Sequence, residues 1–325
     1  MTMKISVVIA TYNRAGLLDE CLAQLARQRF ADGDEVVLVD NGSTDDTASI
    51  IAKHRRTFPV PVLHLNEPRP GKTHALAKAL AVATGDVLAF TDDDVNVEDT
   101  WIETIRAAMS EPEVALVGGP VAPRFERRPP RWLIFEGNGY GRLASPLALV
   151  DYGPRDADLG ARALLGANLA VRRDVLQRVG GFAPHLGKLR GTLLSGEDDE
   201  FCRRVQASGF RARYCCSARV WHWVPASRMR LSYFLNWFFW SGITNSVLDE
   251  AMASTPGKLF GVPRYLIRRF VAAFVALPFF VLLGRRRSAL DRAVDAAFVA
   301  GYAAREWGLV HVEPAVAPVP AGDAA

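Results

Sequence analysis

Along the first hundred residues, short apolar runs alternate with stretches in which apolar residues recur every three or four positions. Residues 5–10 (ISVVIA), 35–39 (EVVLV) and 60–65 (VPVLHL) are short and rich in β-branched residues. Such runs mark strands buried on both faces of a parallel sheet. Between the first two, Leu17, Leu18, Cys21, Leu22 and Leu25 fall at helical spacing. Between the second and third, Ser43, with Asp46 three residues on, reads as the N-cap of a helix reaching about Arg56. A helix over 73–83 then leads into a strand over 87–91. This βαβαβ order predicts a doubly wound α/β sheet whose ligand sits at the carboxyl ends of the strands.

The pattern is less regular beyond residue 95. It predicts a helix over 97–109, a strand over 115–121 and a Pro/Arg-rich loop over 120–131. A strand over 164–171 follows, then a short helix ending at Gly180-Gly181 and a helix over 198–208 that Gly209 is placed to end. From residue 310 the sequence VHVEPAVAPVPAGDAA reads as a disordered Pro/Ala tail.

Composition narrows the class. Half of the 325 residues are hydrophobic and 23% are charged, which excludes a disordered chain and a small disulfide-stapled scaffold. The four cysteines form no CxxC pair, Cys215-Cys216 reads as a buried strand pair, and the set points to a reducing compartment. The opening MTMKISVVIA lacks the features of a signal peptide, so a cytoplasmic location is expected. Charge is unevenly spread. Residues 1–100 carry 15 Asp/Glu against 10 Lys/Arg, whereas residues 201–325 carry 7 against 16. An acidic front half is therefore joined to a basic back end, suited to an anionic surface.

Three loops at strand ends carry the candidate chemistry. The strand over 87–91 ends in Thr91-Asp92-Asp93-Asp94. Three consecutive carboxylates repel one another unless a cation neutralises them, and Mg²⁺-type ions bridge carboxylates to phosphates. Taken alone, the run reads equally as an acidic turn capping the next helix. The first strand ends in Thr11-Tyr12-Asn13-Arg14 and the second in Asp40-Asn41-Gly42-Ser43. Tyr12 suits stacking on a base, and Asp40 or Asn41 suits a hydrogen bond to a base or ribose, although Asn-Gly-Ser is also ordinary turn chemistry. Gly71-Lys72-Thr73 looks like the end of a phosphate-binding loop, but position 66, where that motif needs Gly, is Asn. His54, His64, His74, His185 and His311 show no ligand spacing.

Together these segments resemble the family 2 glycosyltransferases. The resemblance rests on SVVIATYNR, EVVLVDNGSTDDT and PGKTHALAKALAVATGDVLAFTDDD, and continues through LLGANLAVRRDVLQRVGGF, GEDDEFCRR and ARVWH, over residues 4–225. It implies an inverting, nucleotide-sugar-dependent enzyme of the GT-A fold, here a catalytic domain over 1–225. By the same resemblance, Thr11, Tyr12 and Asp40 line the base and ribose of the donor, and Asn41 stands where many members carry a second Asp. Asp92 and Asp94 match the outer positions of a D-x-D motif, with Asp94 the direct ligand of a divalent metal (Mg²⁺ or Mn²⁺). Lys72 matches a lysine near the nucleotide-sugar. Asp198, beside Glu197, matches the catalytic base, and His222 a histidine of the metal or diphosphate site. The run Glu197-Asp198-Asp199-Glu200 is also what an acidic first helical turn looks like. A nucleotidyltransferase acting on a sugar phosphate, and a non-catalytic membrane-associated nucleotide-sugar-binding protein, are the alternatives.

Residues 226–309 form a basic, aromatic region. Within 228–248, Leu231, Phe234, Leu235, Phe238 and Phe239 follow helical spacing. Residues 270–283 are an uncharged run of 14 between arginine clusters, about 21 Å as a helix and interrupted by Pro278, short of a bilayer core of about 30 Å. Arginines with nearby Trp, Tyr and Phe suit a membrane surface contacted through 228–287, at the inner face of the plasma membrane. A buried core helix is the plainer reading of the same run. Nucleic acid is not expected as a partner, because the aromatics cluster among apolar residues instead of interleaving with Lys and Arg. The expected partners are a nucleotide-sugar donor and a glycan or lipid-linked acceptor.

Overall fold

The computed structural model describes residues 3–133, 140–183, 186–187, 192–251 and 257–312. His185 and the tail from residue 313 on lie outside the described residues. The first half is a βα succession: β1 (Ile5–Thr11), α1 (Ala15–Leu25), β2 (Glu35–Asp40), α2 (Thr47–Arg55), β3 (Val62–Asn66), α3 (Lys72–Val82) and β4 (Val87–Asp92). Then come β5 (Val95–Val97), α4 (Trp101–Met109), β6 (Val114–Gly118), β7 (Val121–Phe125), β8 (Ala157–Asp158), β9 (Asn168–Arg172), α5 (Arg173–Val179), α6 (Glu197–Ala207), β10 (Arg211–Tyr214) and β11 (Val220–Val224). Three long helices end the described chain: α7 (Leu231–Ala251), α8 (Arg264–Leu282) and α9 (Arg286–Glu306).

An eight-stranded mixed sheet runs in the order β3-β2-β1-β4-β9-β6-β10-β8. Strands β1 to β4 are mutually parallel, as the βαβ succession requires, and β9 enters antiparallel between β4 and β6. Because side chains alternate across a strand, β1 feeds two cores. Ile5, Val7 and Ile9 pack with α1, α2 and α4, whereas Val8 packs with α3 and α6. A small second sheet, β5-β11-β7, stands at the carboxyl end of β4.

Several boundaries differ from the sequence pattern for local reasons. Helix α2 starts at Thr47 because Ser43 is used elsewhere: its Oγ accepts the Asn13 N–H (3.0 Å), and its own N–H donates to Asp40 Oδ1 (2.8 Å). The expected strand over 115–121 is two strands in different sheets, divided at Gly119-Pro120, so part of the expected 120–131 loop is β7. Residues 95–97 are strand β5, and the expected helix there begins only at Trp101. Residues 164–167 precede β9 as a loop in which Ala167 O accepts the Thr91 hydroxyl (3.0 Å). Cys215 and Cys216 follow β10 instead of lying in it, and only Cys215 is buried. Helix α8 runs through Pro278, which removes one backbone donor without ending the helix.

The helix that the pattern missed, α9, joins the C-terminal arm to the body. It crosses α7 at Gly242 and Gly301, where the backbones meet: a Cβ on Gly301 would stand 1.8 Å from Phe239 O, and one on Gly242 1.9 Å from Phe298 O. Phe234 and Phe238 of α7 are buried in the same core as α1 and α4.

Candidate active site

The carboxyl ends of β1, β2 and β4 open into a cavity of about 660 Å³, closed on its far side by α6 and α7. Thr11, Tyr12, Asn41, Lys72, Asp92, Asp94, Glu197, Asp198 and His222 all line it. Asp40 is buried and is not part of the lining; its Oδ1 accepts the Ser43 N–H. These residues are up to 211 positions apart (Thr11 to His222), and topology alone gathers them.

Each wall has a traceable cause. The register of β5 against β11 places His222 opposite Val95, next to Asp94. His222 Nε2 stands 3.6 Å from Asp94 Oδ1 and 3.4 Å from Arg228 Nη1. The aspartate loop is knotted to β1: Thr11 donates to Asp93 (2.8 Å), and Arg14 Nη1 bridges Asp93 (2.8 Å) and Asp94 (2.6 Å). Burial pushes the Asp93 carboxyl up, to about 6, against the pull of Arg14, and Asp94 adds to the rise. Arg14 and Asp93 were not singled out as site residues by the sequence, although both sit inside the motifs that were.

Asn41 holds a loop. Its amide donates to Glu67 O (2.8 Å) and Arg69 O (2.7 Å), and its Oδ1 accepts the Gly71 N–H (2.9 Å). A carboxylate has no donor for two carbonyls, which explains Asn at this position. The loop so fixed leads directly to Lys72, whose ammonium pairs with Asp92. Burial alone would lower the Lys72 pKa, but Asp92, Asp198 and Glu197 outweigh it and raise the value, so the side chain stays charged.

The opposite wall is the first turn of α6. Four acidic residues there favour the positive end of the helix dipole. Asp199 and Glu200 pair along the helix with Arg203 (2.8 Å) and Arg204 (2.7 Å). Asp198 is held by the Gly166 N–H, which donates to Oδ2 at 2.8 Å. That approach needs glycine: a Cβ on Gly166 would lie 2.7 Å from Asp198 Oδ1. Gly196, the residue before the helix, has φ +116°, which L side chains rarely adopt.

The cavity thus concentrates carboxylates, with Arg14, Lys72 and Arg228 as its cations. Among the described residues no three His, Cys, Asp or Glu side chains already stand as a metal-holding group. Asp94 Oδ1 is nevertheless buried and meets no hydrogen-bond partner among the described residues. A buried, unsatisfied carboxylate oxygen beside an imidazole fits a hard divalent cation.

The family model for glycosyl transferase family 2 matches residues 6–180, more than half of the chain. The chain belongs to the family 2 glycosyltransferases. It is 27% identical over 259 residues to the glucosyl-dolichyl phosphate glucuronosyltransferase of Haloferax volcanii, covering 76% of this chain and 78% of that one. It is also 27% identical over 250 residues to the succinoglycan biosynthesis protein ExoM of Rhizobium meliloti, covering 76% and 75%. Among solved structures it is similar to the mannosyltransferase PcManGT of Pyrobaculum calidifontis in complex with GDP-Man and Mn²⁺, with TM-score 0.55, 22% identity and 92% and 87% coverage. The fold is accordingly GT-A, and the protein is a glycosyltransferase.

Proposed function

We propose that this glycosyltransferase moves a sugar from a nucleotide-diphosphate donor to a hydroxyl of a glycan or lipid-linked acceptor, with inversion and with divalent-metal assistance. The observation that carries this reading is the facing of two carboxylate sets across one cavity, Asp92–Asp94 at the carboxyl end of β4 and Glu197–Asp198 on α6, with Lys72 in the field of both. Relatives named for lipid-linked and polysaccharide glycosyl transfer, and a structural neighbour solved with GDP-Man and Mn²⁺, support the donor and acceptor classes.

The chemistry divides between the walls. Asp198, oriented by Gly166, takes the acceptor hydroxyl's proton as that oxygen bonds to the anomeric carbon. The bond from that carbon to the nucleoside diphosphate breaks on the opposite face, so the configuration inverts. A positioned base of this kind contributes about 10²–10⁴-fold. Asp94, Asp92 and His222 would hold Mg²⁺ or Mn²⁺, which supplies charge neutralisation for the leaving diphosphate. Lys72 adds a fixed positive charge on the same side. Tyr12 offers a face for the base, Thr11 shapes the floor beneath it, and Asp40 and Asn41 fix the loops around the nucleotide.

Because α7 packs into the core through Phe234 and Phe238, we assign the membrane contact, within the region 228–287 expected to make it, to α8. It is long and apolar enough to cross a membrane by length and composition. Phe274, Val275, Phe279 and Leu282 are exposed on it, with Arg268 and Arg285–Arg287 toward its ends. Exposed aromatics flanked by arginines fit an anionic bilayer surface, here the cytoplasmic face of the plasma membrane.

The test is a thermal-shift screen of UDP- and GDP-sugars with Mn²⁺ or Mg²⁺, because a bound donor stabilises the folded chain by mass action. Asp198→Asn should keep the shift and lose about 10²–10⁴-fold of transfer. Asp94→Ala should lose the metal-dependent part of the shift. A wild-type chain that responds to no nucleotide-sugar, or an Asp198→Asn variant that still turns over normally, refutes the reading.

A further inference from the structure

The cavity has a second half that the donor chemistry leaves unused. Its far wall is one face of α7, where Tyr233, Trp237, Ser241, Thr244 and Asn245 recur at helical spacing. Half-buried Trp237 presents an aromatic surface, and Ser241 and Asn245 lie one and two turns farther along. Thr244 lines the cavity, and its Oγ1 is buried and meets no hydrogen-bond partner among the described residues, an unusual state for a buried hydroxyl. This wall abuts the α6 turn that carries Asp198: a Cβ on Gly196 would stand 2.8 Å from Thr244 Cγ2.

Charge separates the two halves. The lining cations belong to the aspartate end, where Arg14 bridges Asp93 and Asp94, Lys72 pairs with Asp92, and Arg228 meets His222. The α7 face contributes none to the lining. A phosphate seated there would lie beside Glu197 and Asp198, and Lys72, the lining cation that acts on them, is already paired with Asp92, a costly arrangement. A neutral pyranose suits the same wall, with its apolar face on an indole and its hydroxyls on hydroxyl and amide groups.

We propose that the α7 face is the acceptor subsite and that it takes an uncharged glycosyl ring, so that the nucleophile is a sugar hydroxyl and not a lipid phosphate. The proposal rests on the glycosyltransferase reading above and adds the chemical class of acceptor to it.

Saturation-transfer NMR on the full chain, with UDP or GDP and Mn²⁺ present, tests it with ligands that share one tail. The probes are hexyl β-D-glucopyranoside, hexyl α-D-mannopyranoside and hexyl phosphate. At least one hexyl glycoside should bind, and Trp237→Ala should weaken it by about tenfold. Ser241→Leu, which fills the wall without removing a core aromatic, should weaken it similarly, whereas Trp237→Phe should keep most of the affinity. Nucleotide binding in each variant reports that the chain is folded. Glycoside binding that ignores both Trp237→Ala and Ser241→Leu overturns the proposal, as does hexyl phosphate proving to be the ligand those variants weaken. Absence of nucleotide binding in the wild type fails the transferase reading itself, and this proposal with it.

Discussion

At the residue scale, buried carboxylates account for most of what is unusual in this chain, and their partners predict how it responds to change. Arg14 ties Asp93 to Asp94, at 2.8 and 2.6 Å. Arg14→Met should therefore cost stability, on the order of 2 kcal/mol, because hydrogen bonds to charged groups are worth about 1.5–3 kcal/mol. Added Mn²⁺ should restore more of the melting temperature to that variant than it adds to the wild type. Glu35 behaves oppositely to Asp93. Burial pushes its carboxyl up, but hydrogen bonds from Ser6 (2.6 Å) and from the Thr84 N–H (2.6 Å) and hydroxyl (2.7 Å) outweigh burial and leave the pKa lowered. A lowered folded value means that the unfolded chain binds more protons as pH falls. This stabilisation is complete above an unfolded Glu value of about 4.3 and is lost as pH drops through the folded value. The melting-temperature gap between wild type and Glu35→Gln should be widest near neutrality and should close in acid.

At the element scale, the secondary structure of the first hundred residues was readable because buried parallel strands and amphipathic helices have distinct periods. The structure departs from the pattern where another contact claims a residue. Ser43 looked like a cap and instead serves Asn13 and Asp40, and Gly119-Pro120 split what read as one strand between two sheets. Helix α9 carries a weak apolar pattern, since it buries a narrow stripe against α7 and packs α8 on another side. Its decisive residues are glycines, which leave no hydrophobic signal. Gly301→Ala should push α7 and α9 apart and cost about 1–3 kcal/mol or more by overpacking, measured by denaturant unfolding. Gly16→Ala, with nothing within 4 Å of the added carbon, should be neutral to stabilising.

At the scale of the whole molecule, the acidic front and basic back have different fates. Of the front's carboxylates, Asp92, Asp93 and Asp94 gather in the cavity at the carboxyl ends of the strands. Asp40 is buried at the end of β2, whereas Glu35 lies at the other end of β2. Some of the back's arginines flank α8, which offers an exposed apolar face, and two of them join Arg142 of the middle segment in a tie that fastens the arm: Asp295 accepts from Arg142 (2.7 Å) and Arg269 (2.8 Å) and pairs with Arg292 (3.4 Å). Replacing Phe274 and Phe279 together by Glu should cut co-sedimentation with phosphatidylglycerol vesicles by more than tenfold, and salt should weaken the wild type's binding. By itself the sequence determined the strand-helix alternation, the family, and which residue types stand at the ends of β1, β2 and β4, because those depend on local period and on motifs a few residues long. Only the tertiary structure decided the strand register by which β11 sets His222 beside Asp94, that Asn41 is spent on the loop before Lys72, and that α7 closes the cavity opposite the aspartates. Those facts depend on strand register and helix crossing, which are set by packing between residues far apart in the chain and leave no periodic trace along it.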